Sequence, residues 1–230
     1  MRWLATLVAA LAIALAVACG SDGGDNADET SPTALDGTPT PALSAFDRSI
    51  AAEADDDPSL PGEFVDLPAI FGGPYPFGTP PPHQDGPIDY SAQGLPPAGG
   101  LHWGPSPGWT GACPDDPAEA PLNCGPVPWG VYRSPWHAES LVHNMEHAGF
   151  VIWYNTPDEA VRDELEAFAL QQSENDVLIV MAPFPDMAPD TVAITVWSRR
   201  LAMPADAVDL EAMQEFVDVL NCRFDPEGFC

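Results

Sequence analysis

Leu141-Val142-His143-Asn144-Met145-Glu146-His147-Ala148-Gly149-Phe150-Val151-Ile152-Trp153-Tyr154 carries the densest chemistry of the chain and its sharpest change of pattern. The spacing predicts a helix over residues 136–147. Positions i, i+3 and i+4 share one helical face, so His143, Glu146 and His147 project together. Leu141, Met145 and Ala148 fall on a different, apolar face. Gly149 stands where the chain turns into an apolar strand over residues 150–154. Two imidazoles and a carboxylate on one rigid element can bind a metal or move a proton, and the chain has only five histidines with which to do it.

Regular patterns continue beyond that strand. Thr156-Pro157-Asp158-Glu159 reads as a capping box with proline at the first helical position, and it launches a helix whose apolar stripe is Val161, Leu165 and Phe168. Residues 177–182 and 191–198 are β-branched, apolar runs, expected as a hairpin or a neighbouring pair. Asp209 caps a last helix with Leu210, Met213, Val217 and Leu220 on one side. Helices alternating with strands predict a single layered α/β (α+β) domain with a mixed sheet over residues 129–230, about a hundred residues and enough to bury a core.

Upstream the composition changes. Residues 63–128 are crowded with Pro and Gly yet carry Phe64, Phe71, Tyr75, Phe77, Tyr90, Trp103 and Trp109. A flexible linker does not need so many aromatics, so the segment is expected to be an ordered, irregular arm wrapped over the core. Residues 20–62 are acidic and poor in apolar residues, which predicts a disordered tether, with a short helix or more tether over 48–66. Asp55-Asp56-Asp57 lacks the ligand spacing of a calcium loop and reads as solvated linker.

Residues 1–19 have the form of a signal peptide, a short positive start followed by an apolar run too short to span a bilayer permanently. Ala16-Val17-Ala18-Cys19 resembles a lipobox that would lipidate Cys19; cleavage without lipidation would leave a secreted protein. Either route predicts an extracytoplasmic, monomeric protein, in the first case tied to the membrane through its N-terminal lipid. The other four cysteines, Cys113, Cys124, Cys222 and Cys230, form an even set, which in an exported chain predicts disulfides. Three connectivities are open; the local pairs Cys113–Cys124 and Cys222–Cys230 close the shortest loops and are favoured. Acidic residues outnumber basic ones 35 to 7, for a net charge of −28. That field excludes nucleic acid and anionic lipid as partners and attracts cations only diffusely.

The quoted residues resemble a bacterial envelope family, the domain of unknown function 3105. That family has a Pro-Pro-Thr-Ser-Gly-Pro-His element, then Leu-Val-His-Asn-Leu-Glu-His-Gly, then an apolar strand with Trp-Tyr. Here the first element stands as Pro96-Pro97-Ala98-Gly99-Gly100-Leu101-His102 and the second as Leu141 to Gly149. Trp197-Ser198-Arg199 is similar to the family's Trp-Gly-Arg strand end. The resemblance runs from roughly residue 90 to the C-terminus and implies the fold and an envelope location; the family carries no established activity. Three departures stand out. The hydroxyls beside His102 are gone, Ala148 replaces a glycine, and an insertion bearing Cys113 and Cys124 follows His102.

The resemblance, which keeps both histidine motifs together, brings His102 toward His143 and His147. The expected site is therefore a copper or zinc ion on His102, His143 and His147, with Glu146 as ligand or supporting partner. Met145 is turned away from His143 by helix geometry. An envelope binding or assembly module, with structural histidines and a protein or peptide partner, is the second reading. The third is a small metallohydrolase, because His143 to His147 also spell His-x-x-Glu-His with Glu146 as catalytic base. His83 reads as exposed in the proline-rich arm and His137 as structural or exposed. Trp103, Trp109, Trp129 and Trp136 suit a ligand groove or, more simply, packing. Serine elbows, phosphate-binding glycine loops and basic patches are missing from the sequence.

Overall fold

The computed structural model describes residues 42–78, 82–104, 108 and 110–230. The expected signal peptide, Cys19, the expected tether up to residue 41 and Trp109 lie outside the described residues. Among those described, no helix is long and apolar enough to cross a membrane.

The fold is α/β, built on a six-stranded mixed sheet in the order β1-β6-β5-β3-β4-β2. The strands are β1 (Glu63–Phe64), β2 (Gly130–Val131), β3 (Phe150–Asn155), β4 (Ile179–Pro183), β5 (Thr191–Val196) and β6 (Arg199–Pro204). The helices are α1 (Ala45–Glu53), α2 (Leu67–Phe71), α3 (Ala138–Glu146), α4 (Glu159–Glu174) and α5 (Leu210–Leu220). β3 is the central strand, parallel to β4 and antiparallel to β5. Its near-continuous apolar run fits a strand covered on both faces. Phe150, Ile152 and Tyr154 face α4 and α5, where they meet Leu165, Phe168, Met213, Phe216, Val217 and Leu220. Val151 and Trp153 point the other way, into a layer made by α3 and the irregular arm. That second layer is what positions the histidines.

Several local expectations change. The helix before β3 begins at Ala138, with His137 at its N-cap. α4 is capped by Asp158, which accepts from Ala160 N–H at 2.9 Å, so Pro157 lies outside the helix rather than at its first position. β4 and β5 are not paired, because β3 runs between them. The hairpin partner of β5 is instead β6, which carries two arginines and alternates in burial. Such a strand is hard to recognise because its apolar run is broken. Asp209 caps α5 by accepting from Ala212 N–H at 3.0 Å, where the pattern placed it.

The arm is ordered over its described residues and contributes to the core on the α3 side of the sheet. Val65, Leu67, Phe77, Tyr90, Ala98, Cys113, Cys124 and Val127 are all buried with α3 against the sheet, and Trp103 is buried as well. Cys113 is bonded to Cys124 and Cys222 to Cys230. Both pairs fit an extracytoplasmic compartment.

Residues 42–230 form one compact unit, and α1 belongs to it. Glu53, fully buried at the end of α1, accepts from the Trp197 indole N–H at 2.8 Å and from Tyr75 N–H at 2.7 Å. Arg199 holds the Asp55 and Asp57 carbonyls at 2.5 and 3.2 Å. The acidic stretch therefore folds where its oxygens find buried donors. Glu53→Ala would leave two buried N–H groups without acceptors and is expected to cost about 3 kcal/mol, read as a shift of the urea unfolding midpoint.

Candidate metal centre

α3 has an unusual composition for a helix with no exposed face. Residues 139 to 146 are all buried, although they include Glu139, Ser140, His143, Asn144 and Glu146. A buried polar group is costly unless hydrogen-bonded, and the arm provides the partners through its backbone. Asn144 accepts from Val127 N–H at 2.9 Å and donates to Val127 C=O at 2.7 Å. The Ser140 hydroxyl donates to Cys124 C=O at 2.6 Å, and Glu139 accepts from Ile88 N–H at 2.9 Å. A sequence with few apolar positions thus makes a core helix by pairing with irregular backbone.

His143, Glu146, His102 and His83 meet at one point. Their ligand atoms all lie within 4.8 Å of one another. One Glu146 oxygen, Oε2, sits 2.9 Å from His102 Nε2, 3.1 Å from His83 Nε2 and 3.8 Å from His143 Nε2. The other, Oε1, accepts from the Tyr75 hydroxyl at 2.5 Å. Behind the rings, His102 Nδ1–H donates to Gly100 C=O at 2.7 Å and His143 Nδ1–H donates to Trp103 C=O at 2.5 Å. A neutral imidazole that donates from Nδ1 presents a lone pair at Nε2. Two rings are thereby fixed with their free nitrogens aimed inward.

Different elements deliver these groups. His83 and His102 face each other across an isolated parallel bridge, with Gln84 N–H on His102 C=O at 2.8 Å and His102 N–H on Pro82 C=O at 2.9 Å. Gly104 has to be glycine here, since a Cβ on it would lie 2.0 Å from the His83 ring. His143 and Glu146 come from successive turns of α3. Gly149 ends that helix, its N–H on Asn144 C=O at 3.0 Å, and a Cβ there would meet Trp129 at 2.5 Å. Ala148 takes the left-handed conformation, φ 62°, at the place where the resemblance has glycine.

The environment keeps the ligand atoms in binding form. Burial, with His102 next to it, drives His143 down to about 2, so its ring stays neutral. Burial alone would push Glu146 up, but the adjacent His102, together with His83 and the Tyr75 hydroxyl, holds it well below the usual carboxylate range. Burial and the adjacent Glu146 raise Tyr75, which remains a hydroxyl donor.

His147 does not join this quartet. It forms the C-cap of α3, and its Nε2 lies 3.1 Å from Glu227 Oε2 while its ring stacks on Phe229 at 4.3 Å. His102 and Glu146 lie with His143 as the sequence expectation had them. His83 is corrected: it is not exposed, its side chain being 13 % accessible, and it belongs to the cluster. The only hint was its rarity, since no spacing connects it to the helix. Tyr75 and Glu227 gave no signal at all. Among the tryptophans, Trp103 is buried and donates to Gly86 C=O at 2.6 Å, and Trp136 is likewise buried. Met145 Sδ accepts from the Thr195 hydroxyl at 3.3 Å, facing the sheet and not the imidazoles.

A three-imidazole, one-carboxylate set of this kind matches the donors that zinc or copper(II) takes. No curated protein and no solved structure matches the chain. The family model described as protein of unknown function, DUF3105, matches residues 83–228, a span that opens on His83 and closes just past Glu227. Every histidine and glutamate of the cluster falls inside it, and the chain belongs to the DUF3105 family.

Proposed function

We propose that this is an exported envelope protein, anchored by a lipid on Cys19, that holds a divalent transition ion, zinc or copper(II), on His83, His102, His143 and Glu146. The observation that carries the proposal is the convergence of three Nε2 atoms on one buried carboxylate oxygen while two of the rings are clamped from behind by carbonyls. Lone pairs aimed at a carboxylate repel it unless a cation lies between. One proton satisfies one such contact, whereas a divalent ion satisfies all of them. Carbonyl-oriented imidazoles are the usual supporting arrangement of metal-binding histidines, and the Tyr75 hydroxyl plays the same part for Glu146.

Sulfur is lacking from the donor set, which disfavours copper(I) and leaves the borderline divalent ions. A hydrolase of the His-x-x-Glu-His type needs His143 and His147 on one ion with Glu146 free as base. That reading is the weaker one here, since Glu146 has no exposed surface and faces three imidazoles.

Elemental analysis of protein purified from its native compartment should give one or more zinc or copper ions per chain, and His102→Ala combined with His143→Ala should remove the buried one. Full metal content in that double variant would defeat the proposal. Gly104→Ala, which forces the His83 ring aside, is expected to weaken zinc binding at least tenfold in a chelator competition without unfolding the chain; unchanged affinity would take His83 out of the ligand set. Proton linkage gives a further check on the metal-free protein. His143 stays neutral when folded to about 2 but takes up a proton near 6.5 when unfolded. Its contribution is complete above pH 6.5 and is lost below it, by about 1 kcal/mol per pH unit. Urea midpoints should accordingly fall more steeply between pH 7 and pH 5 in the wild type than in His143→Gln, and equal slopes would contradict a buried neutral ring.

A further inference from the structure

Beside the buried quartet lies a second set of donors: Glu146, His147 and Glu227 have ligand atoms within 4.8 Å of one another, and Glu146 belongs to both groups. Glu227 arrives from the far end of the chain. The Cys222–Cys230 bond closes the loop that carries it, and Asp225 tightens that loop by accepting from Phe229 N–H at 2.7 Å and Cys230 N–H at 3.0 Å. Phe229 then stacks on the His147 ring and sets its plane, while His143 meets the same ring edge-on at 4.7 Å. The tail is thus stapled, turned and packed so that one carboxylate stands over the end of α3.

The two groups differ in access. Glu146 and the His102 side chain are fully buried, whereas the Glu227 side chain is 42 % exposed. A cavity of about 380 Å³ lies against this face, lined by His83, Gly125, Pro126, His143, His147 and Glu227 among others. The cavity touches ligands of both groups, so anything entering it meets His147 and Glu227 on one side and the rim of the quartet on the other.

We propose that Glu146, His147 and Glu227 form a second cation position next to the first, with Glu146 bridging the two, and that this position takes an exchangeable divalent ion from the cavity. The inference rests on the buried ion proposed above, since Glu146 can bridge only if the first position is filled. Bridged pairs of this kind hold their ions about 3.5–4 Å apart. The inner position offers three imidazoles and one carboxylate, a closed set for a resident ion. The outer one offers one imidazole and two carboxylates, one of them shared, and leaves coordination places toward the cavity for water or an incoming anionic group. Its oxygen-rich set accepts zinc, cobalt(II) or manganese(II) and holds them less tightly than the inner set.

The alternative is that His147 and Glu227 merely latch the tail. Native mass spectrometry of the metal-free full chain, titrated with zinc in ammonium acetate, separates the two. The wild type should bind two ions, the second at least tenfold more weakly, and Glu227→Gln and His147→Ala should each bind one. Glu227 is half exposed in a surface loop, so its variant tests the ligand without disturbing the core. A wild type that stops at one ion, or a Glu227→Gln variant that still takes two, overturns the outer position while leaving the inner one standing. A wild type that binds none overturns both.

Discussion

The constraint on which this structure turns is the burial of α3 with its polar side chains intact. A helix carrying Glu139, Ser140, His143, Asn144 and Glu146 enters the core only if something meets each of those groups. The arm meets the first four with main-chain carbonyls and N–H groups from residues 88, 103, 124 and 127, and Glu146 with the Tyr75, His83 and His102 side chains. Its prolines and glycines follow from that duty. A regular strand or helix has already used its backbone groups on itself, whereas an irregular segment keeps them free to be offered to a neighbour. The aromatic residues of the arm then provide the apolar area that fastens it to the sheet.

From this follows a site that no single segment owns. His83 and His102 come from the arm, His143 and Glu146 from the helix, Tyr75 from the stretch before the family-matched region and Glu227 from the disulfide-closed tail. Filling the proposed metal position would therefore lock arm to helix, and binding free energy would appear as folding stability of the whole α3 layer. The opposite face of the sheet, built from α4 and α5, carries none of this chemistry and depends on ordinary apolar packing.

How far the sequence disclosed all this can be read from particular residues. The period of α5 and the apolar run of β3 declared themselves, because both bury side chains in patterns that only one kind of element produces. The β6 strand did not, since Arg199 and Arg200 are buried through contacts with carbonyls and a carboxylate, which a hydropathy pattern cannot register. Three of the four cluster residues were legible: His143 and Glu146 follow from helix geometry, and His102 from the family resemblance. His147 follows the same geometry, yet the helix ends at that residue and its ring leans to Glu227 instead. His83 was missed because its position depends on a two-residue backbone bridge to His102, a non-local pairing without a spacing rule. Glu227 depends on a disulfide loop closing over a helix end, which is equally silent in the chain.

Imidazoles from the arm and from α3 are proposed to share one ion. X-ray absorption at the zinc edge, on protein loaded with a single equivalent, addresses it directly. About four nitrogen or oxygen neighbours near 2.0 Å are expected, with the outer-shell scattering of three imidazole rings. A six-oxygen shell without imidazole scattering would mean that the ion sits on the acidic surface, and the claim would fall.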